Sequence, residues 1–88
     1  MAVLIRHHAP GMDPSQYDVI SPPLIAMLKT QPGFVIHVTY QGSDGRFIVA
    51  EVWESQEQHD RWFDENVKPN IPVDVEQEVI QLHSVHTP

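Results

Sequence analysis

Two stretches of the chain hold its densest runs of strand-forming residues. Residues 34–41 (FVIHVTYQ) and 46–53 (RFIVAEVW) are rich in β-branched and aromatic side chains, with Gly42-Ser43-Asp44-Gly45 between them. This pattern predicts two strands joined by a four-residue hairpin loop. The register that follows pairs Tyr40 with Phe47, Val38 with Val49, Ile36 with Glu51 and Phe34 with Trp53 on one face. The other face then pairs Thr39 with Ile48, His37 with Ala50 and Val35 with Val52. Both faces come out largely apolar, whereas a sheet with one wet face alternates apolar with polar. Two apolar faces need two covers. The chain's own helices supply one, and a second copy of the chain is the economical source of the other.

The rest of the pattern completes the order. Residues 2–8 (AVLIRHH) predict a first strand, with Val3, Ile5 and His7 on one face. Asp13-Pro14-Ser15-Gln16 reads as a capped helix start. Pro22-Pro23 predict a break, giving one piece from Asp13 to Ile20 and a second, capped by Ser21, to Thr30. Tyr17, Ile20, Leu24, Met27 and Leu28 form the expected inward stripe. Ser55-Gln56-Glu57-Gln58 is a second capping box. It opens a helix with His59, Trp62, Phe63, Asn66 and Val67 facing inward and Lys68-Pro69 at its end. A stiff loop through Pro69-Asn70-Ile71-Pro72 leads to a last strand within 75–86. The expected fold class is α+β: a ferredoxin-like βαββαβ antiparallel sheet with its helices on one face, in one domain spanning 1–88.

Bulk properties narrow the partners. Twelve acids against five scattered bases give a formal net charge of −7, with no basic stripe for phosphates. Nucleic acid and acidic membrane surfaces are therefore not expected partners. The absence of cysteine excludes disulfides and thiolate chemistry and fits a reducing compartment. The start of the chain lacks the basic n-region and long apolar h-region of a signal peptide, and no run reaches membrane-span length. A soluble cytoplasmic protein is the expectation.

The element order, the length and one stretch resemble the dimeric α+β barrel superfamily, and within it the antibiotic biosynthesis monooxygenase-like domains. That stretch runs from Gly33-Phe34 to Tyr40 and from Gly45-Arg46-Phe47 through Val52-Trp53-Glu54-Ser55 into the second helix. The resemblance implies a homodimer whose sheets pack into a barrel, with a pocket between sheet and helices in each subunit. Its members include cofactor-free monooxygenases acting on aromatic polyketide-like compounds and haem-degrading enzymes. Many members carry histidine at the middle and end of the second helix, where this chain has Trp62 and Val67. His59 lies about one turn away, which counts against both the monooxygenase and the haem readings.

The candidate chemistry follows from residue types and positions. His37, mid-strand, is the candidate acid or base; the bland alternative is a hydrogen-bonded histidine inside a dimer interface. Glu51 on a central strand would have a raised pKa if unpaired and could serve as a base; the alternative is a salt bridge or hydrogen bond to the partner subunit, through Arg6 or Arg46. Tyr17, Trp53 and Trp62 could hold an aromatic ligand or simply pack the core. His59 could contact substrate or haem iron, or be an ordinary residue at the edge of the helix stripe. His7 and His8 point to opposite faces, as do His83 and His86, so neither pair can hold an ion and no metal site or cofactor is expected; the alternative is a Cu or Zn site assembled from distant histidines. The functional expectation is a cofactor-independent monooxygenase acting on an aromatic or polyketide-like metabolite. The alternative is a non-catalytic small-molecule-binding or accessory dimer.

Overall fold

The computed structural model describes residues 1–71 and 74–88. The elements are β1 (Val3–His8), α1 (Pro14–Leu28), β2 (Phe34–Gln41), β3 (Phe47–Trp53), α2 (Gln56–Trp62) and β4 (Glu76–Gln81). The strands form one sheet in the order β2-β3-β1-β4, and every neighbouring pair is antiparallel. This is the ferredoxin-like α+β arrangement. The core joins one face of the sheet (Val3, Ile5, Trp53) to α1 through Leu28 and to α2 through Trp62. The face that meets the helices therefore carries Val3, Ile5 and His7 of β1 and Phe47, Val49, Glu51 and Trp53 of β3.

The hairpin register differs from expectation by one residue. Gln41 pairs with Phe47, Thr39 with Val49, Val38 with Ala50 and His37 with Glu51. The cause is the loop. Gly42 N–H donates to the Arg46 carbonyl, and Gly45 N–H to the Gly42 carbonyl, with Gly45 at φ +83°. That is a three-residue loop closed by a left-handed glycine, not a four-residue one. A bulge between Phe34 and Ile36 then absorbs the extra residue and restores the pairing of Phe34 with Trp53. The correction turns His37 onto the helix-covered face. Ile36, Val38 and Tyr40 share the open face, where they are 50%, 44% and 41% exposed.

The first helix is continuous across Pro22 and Pro23, contrary to the expected break. The two prolines remove hydrogen bonds to the carbonyls of Asp18 and Val19. All four residues lie on the exposed side of the helix, where water can satisfy those carbonyls. The Asp13 cap and its reciprocal bond with Gln16 form as the sequence predicts. The inward stripe runs through Tyr17, Ser21, Leu24, Ile25 and Leu28, while Met27 is 44% exposed.

Ser55 caps α2 by accepting from Gln58 N–H. The Gln58 side chain packs over Gly33, where a Cβ would stand 2.2 Å from it. Gly33 also has φ +85°, so this crossing admits only glycine. After Trp62 the helix widens into a π turn at Phe63–Val67 and tightens into a 3₁₀ turn at Lys68–Asn70. Pro72, the end of the expected stiff loop, lies outside the described residues. Among those residues, no helix is long and apolar enough to cross a membrane.

Candidate functional site

A cavity of about 100 Å³ lies between the sheet and α1, closed at one end by the π turn. Ile20, Leu24, Ile25, Val49, Phe63 and Val67 make most of its wall apolar. His7, Tyr17, Ser21, His37 and Glu51 are the polar groups that reach it. For scale, a cavity of about 150 Å³ holds benzene, so this space takes an aromatic ring only with some outward movement of its walls. An apolar cavity with a few convergent polar groups is the usual form of a small-molecule site.

The register correction assembles the polar wall. His37 Nδ1 is 2.8 Å from Glu51 Oε2, and the Trp53 indole N–H donates to Glu51 Oε1 at 2.9 Å. Burial pushes the Glu51 carboxyl up, but the bonds from His37 and Trp53 and the nearby charge of His7 outweigh it. The net result lies below the ordinary value. An ionised carboxylate only accepts, so His37 Nδ1 carries the hydrogen and Nε2 presents its lone pair. The Tyr17 hydroxyl meets that lone pair. Burial raises the Tyr17 phenol above its usual range, so it stays protonated and donates. The order Tyr17–His37–Glu51 is a hydroxyl, an imidazole and a carboxylate in series, with the carboxylate fixing the tautomer and aim of the ring. Phe47 holds the Tyr17 ring edge-on at 5.3 Å.

The sequence-predicted residues thus fall into two groups. Tyr17, His37, Glu51 and Trp62 line the cavity. Trp53 and His59 are fully buried behind it, Trp53 holding Glu51 and His59 contacting His7. Within the chain, Glu51 is bonded by His37 and Trp53. Arg6 bonds to Glu78 and Arg46 to Glu76, all on or beside the open face.

Sequence reasoning missed His7. Its Nε2 lies 2.9 Å from Nε2 of His59, 52 residues away. Its ring stacks on Phe63 at 5.6 Å, and Phe63 also stacks on His59 at 5.8 Å. Burial lowers the His7 pKa, with the Glu51 charge opposing and His59 reinforcing the shift. The available signal was parity: His7 shares the core face with Val3 and Ile5.

No protein-family model matches the chain, and no curated protein sequence does. Solved structures do. SnoaB, a cofactor-independent oxygenase from Streptomyces nogalater, superposes with a TM-score of 0.64 at 16% identity, covering 96% of this chain and 93% of that one. The monooxygenase from the gene ActVA-Orf6 of Streptomyces coelicolor, in complex with Nanaomycin D, gives 0.62 at 14% identity over 99% and 91%. The haem-degrading protein Rv3592 from Mycobacterium tuberculosis gives 0.65 at 13% identity over 97% and 98%. At these identities the likeness is one of fold. The chain shares the ferredoxin-like α+β fold of these three proteins.

Proposed function

We propose that this chain forms a homodimer in which each subunit binds one ring of a hydroxylated aromatic metabolite and deprotonates it for reaction with dioxygen. The observation that carries the reading is His37, held by Glu51 at 2.8 Å and aiming Nε2 at a hydroxyl on the cavity wall. A substrate phenol takes the position of the Tyr17 hydroxyl, or passes its proton through it, and His37 becomes imidazolium beside the Glu51 carboxylate. The resulting phenolate is electron-rich at the ring carbon opposite the oxygen. Where that carbon carries a hydrogen, as in the anion formed from a CH₂-bearing keto tautomer, it passes two electrons to O₂ and forms a carbon–oxygen bond. The peroxide takes the proton back from His37, and loss of water leaves a carbonyl. One substrate and one O₂ give one ketone and one water. The apolar wall excludes water and so favours this transfer. Oxygenase and monooxygenase chemistry in two proteins of the same fold supports the reading.

The dimer proposal rests on the open face. Ile36, Val38, Tyr40 and Ile80 are 36–50% exposed there, around a buried Ile48 and Ala50. A contiguous apolar patch of this kind is a protein interaction surface. A chain without cysteine suits a reducing compartment, and the cytoplasm is the proposed location.

Oxygen uptake tests the catalytic reading, using mono- to tricyclic hydroxylated aromatics as substrates. The expected result is uptake with a single-ring or anthrone-like phenol that falls about 10²–10⁴-fold in a folded His37→Ala variant. Tight binding without uptake by the wild type would instead favour an accessory, non-catalytic dimer.

A further inference from the structure

Beside the His37 relay, two buried histidines face each other. His7 and His59 are 8% and 0% exposed, and their Nε2 atoms are 2.9 Å apart. The second nitrogen of each ring meets an acceptor. His7 Nδ1 lies 3.1 Å from the Val49 carbonyl oxygen, and His59 Nδ1 lies 2.9 Å from the Asp60 carboxylate. A carbonyl and a carboxylate can only accept, so both Nδ1 atoms carry hydrogen. Both Nε2 lone pairs are then directed at one point, where a proton or a cation would relieve their repulsion. A single proton would satisfy the two rings. A third ligand atom also stands within reach, because a carboxylate oxygen of Glu51 lies within 4.8 Å of the two histidines' ligand atoms.

We propose that His7, His59 and Glu51 bind one divalent first-row transition ion of the imidazole-preferring class. Three features favour an ion over a shared proton. Two imidazoles and one carboxylate are a common donor set for such ions with coordination positions left open. Each histidine donates its far N–H to a carbonyl or carboxylate, the outer-shell arrangement that orients metal-binding imidazoles. Nitrogens at about 2.1 Å from a metal stand about 3.0 Å apart at a right angle and about 3.4 Å apart at the tetrahedral angle. The observed 2.9 Å fits adjacent positions of an octahedral ion with almost no movement. The carboxylate has to close by no more than about 2 Å, with one oxygen kept on His37 and the other leaving Trp53. His7 and Glu51 both line the cavity, so the remaining positions open towards a bound ligand. Proton removal by His37 does not need the ion, and the inference does not rest on the oxygenase reading.

The test is Co(II) and Zn(II) titration of chelator-dialysed protein, followed by visible absorption for Co(II) and by equilibrium dialysis for both. One ion per chain is expected, with cobalt ligand-field bands, lost in His7→Gln and His59→Gln and retained in His37→Ala. Retention there, alongside lost oxygen uptake, separates this proposal from the functional one. Asp60→Asn, at a half-exposed position that should not impair folding, is expected to weaken binding about 10–100-fold through the orientation of His59. Several results would overturn the proposal. These are no binding by the wild type, unchanged affinity in Asp60→Asn, or binding that survives both histidine variants and disappears when the exposed His83 and His86 are replaced.

Discussion

The two faces of the sheet invert the usual arrangement. The face covered by helices holds an unusually polar set for a small core: His7, His37 and Glu51, with Tyr17 reaching in from α1 and His59 from α2. The open face, which meets no helix, carries Ile36, Val38, Tyr40 and Ile80 in a partly exposed patch. Arg6 and Glu78 also sit on it, Arg6 opposite Ala50 in the register, and their pair, like Arg46–Glu76, is exposed enough to contribute little to stability. Scattered apolar residues on a surface need no explanation, but buried polar groups and exposed apolar patches do. The covered face is polar because its groups satisfy one another around a cavity, which is the form of a site. The open face is apolar because, on the dimer proposal, a partner covers it.

The largest effect expected from breaking this contrast is on the covered face. Glu51→Ala removes the acceptor of both the Trp53 N–H and the His37 N–H. It should cost about 3 kcal/mol or more in denaturant unfolding and abolish oxygen uptake. A variant as stable as the wild type would mean that Glu51 does not organise the wall. On the open face, Val38→Asp places a carboxylate in the proposed interface. Sedimentation should show self-association weakened by more than about a hundredfold, with subunit folding intact. A wild type that is already monomeric would remove the partner from the account.

Acid should sharpen the contrast more gently. In the metal-free protein, His7 and Glu51 both have pKa values below their ordinary 6.5 and 4.5. Their neighbours are one another together with His59 and His37, and the folded state binds fewer protons than the unfolded one. Stability is therefore full above about pH 6.5, falls as His7 is forced to protonate, and falls further below about pH 4.5 through Glu51. Thermal melts against pH should follow that slope, and a rise in stability on acidification would contradict it. The smallest effect belongs to neither face. Asp13→Ala removes the α1 cap and should lower stability by about 1 kcal/mol, leaving self-association and ligand binding unchanged.

Much of the architecture is legible in residue patterns. The strand runs, the Asp13 and Ser55 caps and the stripe of α2 all form where periodicity and capping chemistry put them, because these are local effects. Tyr17, Glu51 and Trp62 could be singled out because polar or large aromatic groups at strand and helix-stripe positions are conspicuous, and His37 because it is a histidine in mid-strand, although on the face away from Glu51 in the expected register. What could not be read was decided by backbone detail or distance. One left-handed glycine at position 45 changes a four-residue loop to three and moves His37 from opposite Ala50 to opposite Glu51. Pro22 and Pro23 look like helix breakers until the exposed carbonyls beneath them are known. His7 and His59 meet across 52 residues, and only the packing of α2 on β1 brings them together.

The central claim is that the Tyr17–His37–Glu51 series takes a proton from a phenol in the cavity. Its most direct test is the absorption spectrum of a nitrophenol bound near neutral pH, titrated into wild type and His37→Ala. The account predicts that the wild type binds the ring as phenolate, while His37→Ala binds it as neutral phenol. Neutral phenol bound to the wild type, or the same phenolate band in both proteins, would contradict it.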